Sequence, residues 1–220
     1  MCKEISLRQK NKARIKLNVL DSMLLLLEDC SFEELKVSDI CERAAVSRVT
    51  FYSYFPKKED LLGYYVTVWC FKLAVNLFIN PKRGKHALLC FFEEVVETPK
   101  VLILTIMRFL ANGAYENYNK LSDAEKALMY PNKQYVFDIR ILGLDEIFRK
   151  HISEAITDGE LDPRTNPAET AIMLNSVLFG TVLSAHMYGI TDVHSLYKKN
   201  LDMLYLGAKN IISTKDEEHD

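Results

Sequence analysis

The sequence lacks any apolar run long enough to cross a membrane. Its longest apolar stretches, residues 23–27 and 101–107, fall short of the about 18 residues that suggest a spanning helix. Residues 1–16 are polar and basic, without the apolar segment of a secretory signal. We therefore expect a cytoplasmic protein that has no membrane partner.

Clustered cysteine and histidine are also missing. The five cysteines are widely spaced and form no C-x-x-C pair, which disfavours a disulfide framework or a zinc site. The histidines are scattered, and no Gly-rich phosphate loop or G-x-S-x-G elbow occurs. The sequence therefore predicts no metal, no cofactor and no enzymatic activity.

Positive charge is not in overall excess, since the formal net charge is −2. Its distribution is uneven, however. Between residues 3 and 16 the chain has six basic residues and one acid, whereas residues 215–220 have four acids and one lysine. A basic N-terminal arm beside a DNA-binding element would favour contact with nucleic acid.

The chain contains only eight glycines and six prolines, and apolar residues recur at helical spacing without sustained strand-type alternation. Gly159 suits a helix end, and Asn166-Pro167-x-Glu169 suits a helix start. The pattern predicts an all-α protein of about nine helices, at residues 8–29, 37–44, 47–55, 58–79, 84–97, 99–114, 131–157, 167–188 and 192–212.

The second and third predicted helices are short and separated only by Ala45 and Val46, which is the spacing of a helix-turn-helix. At about 100° per residue, Phe51 and Phe55 share one face of the third helix. Val49 lies on the opposite face. We expect the phenylalanines to anchor this helix and the other face to approach DNA.

The residue types on that outward face suit a major groove. Arg48 matches guanine, Val49 matches a thymine methyl group, and the hydroxyls of Thr50 and Ser53 match base edges. Tyrosine hydroxyls and lysines are typical phosphate contacts. A surface salt bridge to Glu42 is the alternative role for Arg48. The candidate DNA-binding residues are Lys36, Ser47, Arg48, Val49, Thr50, Tyr52, Ser53, Tyr54, Lys57 and Lys58.

Residues 12–62 resemble the DNA-binding domain of the TetR family of regulators. The resemblance rests on Phe32, Val37, Asp39-Ile40, Ala44, Val46-Ser47, Thr50, Tyr52, Phe55, Lys58-Glu59 and Leu61-Leu62. It implies a three-helix DNA-binding domain at residues 1–63, a helical effector-binding and dimerisation domain at 64–213, and an acidic tail at 214–220.

The chain also departs from the family pattern. Ala45 replaces the usual turn glycine, which costs about 1 kcal/mol if the residue is left-handed. Lys36 replaces a common capping threonine, and the lost cap is worth roughly 1 kcal/mol. Val49 replaces a frequent glycine. These exchanges predict a divergent member with its own base preference.

In the remaining chain, polar residues that interrupt apolar helices are candidates for an effector pocket, together with a neighbouring aromatic. They are Arg108, Asn112, Asn175 and Phe179. A buried arginine requires a partner, and an anionic effector would provide one. A structural salt bridge or simple exposure is the alternative for Arg108.

By the same resemblance, the last two helices would form a homodimer. Small residues such as Ser176 and Gly180 allow close helix approach there. A two-fold dimer predicts a palindromic operator in double-stranded DNA. We expect a repressor released by an unknown small-molecule effector. The alternative is a co-regulator or nucleoid-associated protein that acts through a protein partner without such an effector.

Overall fold

The computed structural model describes residues 5–111 and 120–217, with side chains at 5–99, 102–110 and 120–207. Throughout these residues the chain is helical, with no strand, which confirms the predicted fold class. The ten described α-helices, against about nine predicted, are α1 (Leu7–Leu26), α2 (Val37–Arg43), α3 (Arg48–Tyr54), α4 (Asp60–Ile79), α5 (Gly84–Val96), α6 (Lys100–Ala111), α7 (Asp123–Met129), α8 (Leu144–Thr157), α9 (Pro167–Met187) and α10 (Val193–Glu217).

The chain packs into two compact units, Met1–Val75 with Thr105–Ile141 and Asn76–Leu104 with Leu142–Asp220. These two units are defined by which residues pack together. The boundary expected after Gly63 instead separates two proposed functions, and it stays a prediction. In the first unit, α1 contacts both α2 and α7. Its buried residues Val19 and Met23 are fully enclosed, as the helical spacing predicted.

The second unit is built around a group of four buried aromatic side chains from α5, α8 and α10. The rings of Phe91 and Phe148 meet edge to face, with centroids 4.9 Å apart. Those of Phe92 and Tyr197 stack with centroids 4.5 Å apart. Such pairs add specific geometry to apolar burial and thereby fix the orientation of α10 on α5.

The predicted helix at residues 131–157 is wrong in its first half, where the chain forms only a short 3-10 helix at Gln134–Phe137. Its second half is α8, and the helix α7, which was not predicted, lies before residue 131. Asn132 adopts a left-handed conformation with φ of 63°, which interrupts any helix at this point. The Ser122-x-x-Glu125 sequence carries the missed start signal, because these residues form a reciprocal capping box at α7.

Two predicted helix ends are confirmed. Gly159 has φ of 75° immediately after α8, where glycine closes a helix without steric cost. The side chain of Asn166 accepts hydrogen bonds from the N–H groups of Ala168 and Glu169 and so caps α9. Both ends lie close to their predicted positions.

Helices α4 and α9 are each long and apolar enough to cross a membrane by length and composition, which the search for apolar runs did not predict. The core helix of a soluble protein meets the same test. In its most apolar window α4 is 56% buried, whereas α9 is only 39% buried. Helix α9 therefore exposes much of its apolar surface in the single chain.

Candidate nucleic-acid interface

Helix α3 is anchored by its two phenylalanines, as predicted. Phe51 is completely buried and Phe55 nearly so, and their ring centroids lie 5.8 Å apart. Phe55 also packs against Tyr64 of α4 at 5.5 Å. Ile40 and Ala44 of the preceding segment are buried in the same unit. This packing fixes which face of α3 points outward.

In the turn between α2 and α3, Ala45 takes the left-handed conformation that the turn glycine of the TetR pattern implied for this position. Ala45 adopts φ of 53°, the left-handed region that glycine tolerates best. The N–H of Val46 donates to the carbonyl of Cys41, and that of Ala45 donates to Glu42. This pair of bonds is a Schellman motif, which closes α2 so that α3 can leave at a sharp angle.

The outward face of α3 carries a projecting apolar residue beside polar ones. Val49 is 82% exposed and Tyr52 is 48% exposed, with Arg48 and Ser53 also on the surface. Within the described residues Arg48 has no ion pair with Glu42, its alternative partner. Arg48, Val49 and Tyr52 are therefore the outward side chains with the most freedom to meet a ligand.

The hydroxyls on α3 already have local partners. Ser47 Oγ accepts from the N–H of Thr50 at 3.0 Å and lies 2.8 Å from its hydroxyl. Ser53 Oγ donates to the carbonyl of Thr50 at 2.7 Å. These bonds stabilise the N-terminus and first turns of the helix. A contact of these hydroxyls with DNA would have to share or exchange them.

The basic segment expected as an N-terminal arm forms the first turns of α1 from Leu7 onward. Ser6 and Gln9 cap this helix reciprocally. The ammonium of Lys12 lies 5.6 Å from the ring centroid of Tyr54, a half-buried residue of α3. Cation–π attraction of this kind places part of the basic segment beside α3.

The three candidate lysines around α2 and α4 have different environments. Lys36 and Lys57 are exposed, and Lys36 precedes α2 without capping it through its side chain. The ammonium of Lys58 donates to the carbonyls of Phe32 and Leu35, at 2.6 and 2.9 Å, and approaches that of Glu33. Lys58 thus anchors the α1–α2 connection, and its predicted phosphate contact would compete with those bonds.

Of the described candidate effector residues, Arg108 belongs to the first unit, whereas Asn175 and Phe179 belong to the second. Arg108 is exposed and ion-paired with Glu33, which matches the alternative of a surface salt bridge. Asn175 is half-buried and donates to the carbonyl of Ala171, and Phe179 is also half-buried. Asn112 lies outside the described residues. Arg108, Asn175 and Phe179 do not line the cavity of about 140 Å³ between α5, α6, α9 and α10.

A buried ionic cluster in the first unit was not predicted. The Glu125 carboxylate of α7 accepts hydrogen bonds from Lys16 of α1, Tyr64 of α4 and Ser122. Burial raises the pKa of Glu125, but these bonds and the Lys16 charge outweigh it and hold the pKa below its usual range. The sequence contains the signal for the capping box between Ser122 and Glu125. The other two partners of Glu125, Lys16 and Tyr64, lie far away along the chain.

The described residues contain no group of three or more His, Cys, Asp or Glu side chains that could hold a metal ion. The thiols of Cys41, Cys70 and Cys90 are free and buried, and burial raises the pKa of Cys70 to about 12. A high thiol pKa disfavours the reactive thiolate. The helix-turn-helix surface is therefore the most developed candidate site in the described chain.

Comparison with known proteins agrees with this geometry. Residues 20–65 match the family model described as bacterial regulatory proteins, tetR family. No curated protein matches the chain. The match covers α2 and α3 and extends into α1 and α4. This match identifies residues 20–65 as similar to the DNA-binding domain of TetR-type regulators.

Solved structures share the fold at low sequence identity. FadR of Thermus thermophilus, a TetR-family repressor in complex with lauroyl-CoA, is 20% identical with a TM-score of 0.57, covering 86% of this chain and 92% of its own. FadR of Bacillus subtilis with stearoyl-CoA is 18% identical at 0.55, covering 86% and 97%. NalD of Pseudomonas aeruginosa, the secondary repressor of an efflux pump, is 15% identical at 0.50, covering 90% and 96%.

Proposed function

We propose that this protein is a cytoplasmic, homodimeric repressor that binds a palindromic operator through α3 and leaves it when a small molecule binds. The observation that carries the proposal is the outward face of α3. There, Val49 and Tyr52 project from a helix whose opposite side is locked by buried Phe51 and Phe55. A rigid helix with short outward side chains fits the major groove.

Each outward residue has a distinct proposed role. Arg48 donates to a guanine edge, and Val49 contacts a thymine methyl group, so these two select sequence. Tyr52 donates to a phosphate and positions the helix. Lys36 and Lys57 supply exposed positive charge for the same backbone. Lys58 contributes mainly by holding the α1–α2 connection in place.

The homodimer is supported by a second apolar face on α9. Ala171, Leu178, Val182 and Ala185 are buried in the single chain. At about 100° per residue, the opposite side carries a stripe of large exposed apolar residues with Ser176 and Gly180 between them. This outward stripe is Ile172, Met173, Leu183 and Met187.

Helix α10 adds exposed apolar surface of the same kind, since Met203 is 69% and Leu206 61% exposed. A helix that is apolar on all sides is normally enclosed by other helices. Pairing the last two helices of one chain with those of a second copy would enclose both faces. It would also present two α3 helices to successive major grooves.

Small-molecule control is supported by the two FadR neighbours, which hold acyl-CoA ligands. We place this control in residues 64–213, apart from the DNA-binding residues 1–63 and the tail at 214–220. A ligand acts by favouring a dimer whose α3 spacing no longer fits the operator. The protein acts by binding and needs no cofactor for this role.

Selection from random duplex DNA at near-physiological salt tests the proposal. The proposed dimer predicts enrichment of a palindrome whose half-sites lie about 10 base pairs apart, or at a related spacing. Binding without enrichment, removed by modest salt, would contradict operator recognition and favour the alternative of a co-regulator or nucleoid-associated protein. Mass spectrometry of the same sample identifies any ligand carried through purification.

A further inference from the structure

The cavity in the second unit has an apolar wall. It lies where the end of α5 and the first turn of α6 meet α9 and the start of α10. Its apolar lining is Val95, Val96, Ile103, Val182, Ala185 and Val193. Among the side chains that the structure describes, no charged one lines it. A charged ligand would lose its hydration here without gaining a counter-ion.

The polar atoms of the lining are hydroxyls, and two of them already have partners. Tyr197 donates to the carbonyl of Leu178 at 2.7 Å, and Thr98 donates to that of Glu94 at 3.3 Å. The third hydroxyl belongs to Thr191, an exposed residue at the edge. A ligand therefore finds mostly apolar contacts, together with hydroxyls of which those of Tyr197 and Thr98 already have partners.

The size of the cavity limits its occupant. Its volume is about 140 Å³. Apolar protein cavities of about 150 Å³ stay dry and bind benzene or xenon. A single six-membered ring fills such a space, whereas the acyl-CoA ligands of the FadR neighbours are much larger.

The cavity also lies directly behind the outward stripe of α9. Val182 and Ala185 line it from one side of the helix, and Leu183 and Met187 are exposed on the other. Because packed interiors transmit small displacements, a ligand that presses on the first pair changes the position of the second. The proposed dimer contact is thus one helix away from the ligand.

We propose that this cavity binds an uncharged, largely apolar molecule about the size of one benzene ring, and that its occupancy shifts α9 and thereby weakens operator binding. The binding stands on the cavity alone. The control of DNA binding rests on the function proposed above.

Calorimetric titration of the full-length protein with benzene tests the binding. Benzene should bind, and benzoate, a ring of similar size that carries a charge, should bind at least about tenfold more weakly because the cavity offers no counter-ion. Equal binding of both, or binding of neither, would overturn the inference.

Two variants test whether the ligand binds in this cavity. Ala185→Leu fills part of the space and should reduce benzene affinity about tenfold or more, whereas Ala168→Leu in the first turn of the same helix should leave it unchanged. Val182→Ala enlarges the cavity and should raise the affinity for p-xylene relative to benzene. If Ala185→Leu does not fold, Val182→Ala still decides, and an unchanged ligand preference would overturn the location.

The effect of the ligand on DNA binding is measured as the affinity of the protein for the duplex that selection recovers. Saturating benzene should weaken its binding by about fivefold or more, the lower range of allosteric coupling. Bound benzene with unchanged DNA affinity would overturn the proposed control. Failure to recover any palindrome would instead contradict the proposed function and leave the benzene titration as an independent result.

Discussion

The hydroxyl of Tyr64 donates a 2.6 Å hydrogen bond to Oε1 of Glu125, and the ammonium of Lys16 lies 2.6 Å from the same oxygen. Glu125 is 3% exposed, and the ring of Tyr64 lies under the ammonium at 4.2 Å. This cluster joins α1, α4 and α7 in the first unit. Removing one member of a buried ion pair leaves the other charge without compensation.

Glu125→Gln should therefore lower the free energy of unfolding by about 3 kcal/mol at pH 7. Because the folded pKa of Glu125 is depressed, its carboxylate stabilises the protein above the unfolded value of about 4.3, and this contribution is lost as pH falls through the folded pKa. Urea unfolding at several pH values should show the difference between wild type and variant shrinking toward acid.

Tyr64→Phe is the matched control, since it removes one hydrogen bond and keeps the ion pair. It should cost about 2 kcal/mol and leave most of the pH-dependent stabilisation by Glu125 in place. A gap between wild type and Glu125→Gln that stayed constant down to pH 3 would contradict the depressed pKa.

Ala45→Gly should raise the free energy of unfolding by about 1 kcal/mol, because glycine adopts the left-handed conformation without the steric cost that Ala45 bears. Ala44→Gly is the matched control one residue earlier, where φ is −77°. It should instead destabilise the protein. Equal effects of the two exchanges in urea unfolding would show that the conformation of Ala45 carries no strain.

Gly84→Ala should destabilise the second unit by somewhat more than the cost of its backbone conformation alone. A Cβ atom at Gly84 would lie 2.5 Å from Oε2 of Glu160, which accepts a hydrogen bond from the N–H of Lys85 at the start of α5. Gly159 also has positive φ but has no atom within 4 Å of such a Cβ.

Gly159→Ala thus measures the cost of backbone conformation alone, about 1 kcal/mol. Gly84→Ala should cost about 1 kcal/mol more, because the flexible end of Glu160 must move aside and loosen its hydrogen bond to Lys85. The comparison is made by urea unfolding. Similar losses for the two variants would mean that Glu160 moves aside at no cost.

Much of the DNA-binding unit follows from local sequence signals. The spacing of Phe51 and Phe55 predicts which face of α3 is buried. The resemblance to the TetR pattern, which usually has glycine at position 45, implies a strained turn at Ala45. The caps at Gly159 and Asn166 are equally local. Such signals involve residues within one or two helical turns of each other, so they can be recognised from the sequence alone.

The features that escaped prediction depend on distant partners. The Lys16–Glu125 pair joins residues 109 positions apart. The salt bridge left open for Arg108 has as its partner Glu33, which lies far earlier in the chain and was not named. The break at Asn132 depends on one residue adopting a conformation that asparagine permits but does not require. Packing in the folded chain decides each of these cases.

If the outward stripe of α9 forms the proposed dimer contact, a charge introduced into it should break the dimer. Leu183→Glu should convert a dimer to a chain of 25.4 kDa in analytical ultracentrifugation, since a buried carboxylate would have no partner there. Leu25→Glu on α1 is the control, because Leu25 is 45% exposed and Leu183 43%. A dimer that survives Leu183→Glu would place the interface elsewhere.

The central claim is that the outward face of α3 recognises DNA. The most direct measurement is the affinity of the variant Arg48→Ala with Tyr52→Phe for the duplex that selection recovers. We predict a loss of at least about tenfold, since one guanine contact and one phosphate contact disappear. The control variant, Arg149→Ala with Tyr188→Phe, changes the same residue types at exposed positions of the second unit and should bind as wild type. An unchanged affinity of the α3 variant would contradict the account.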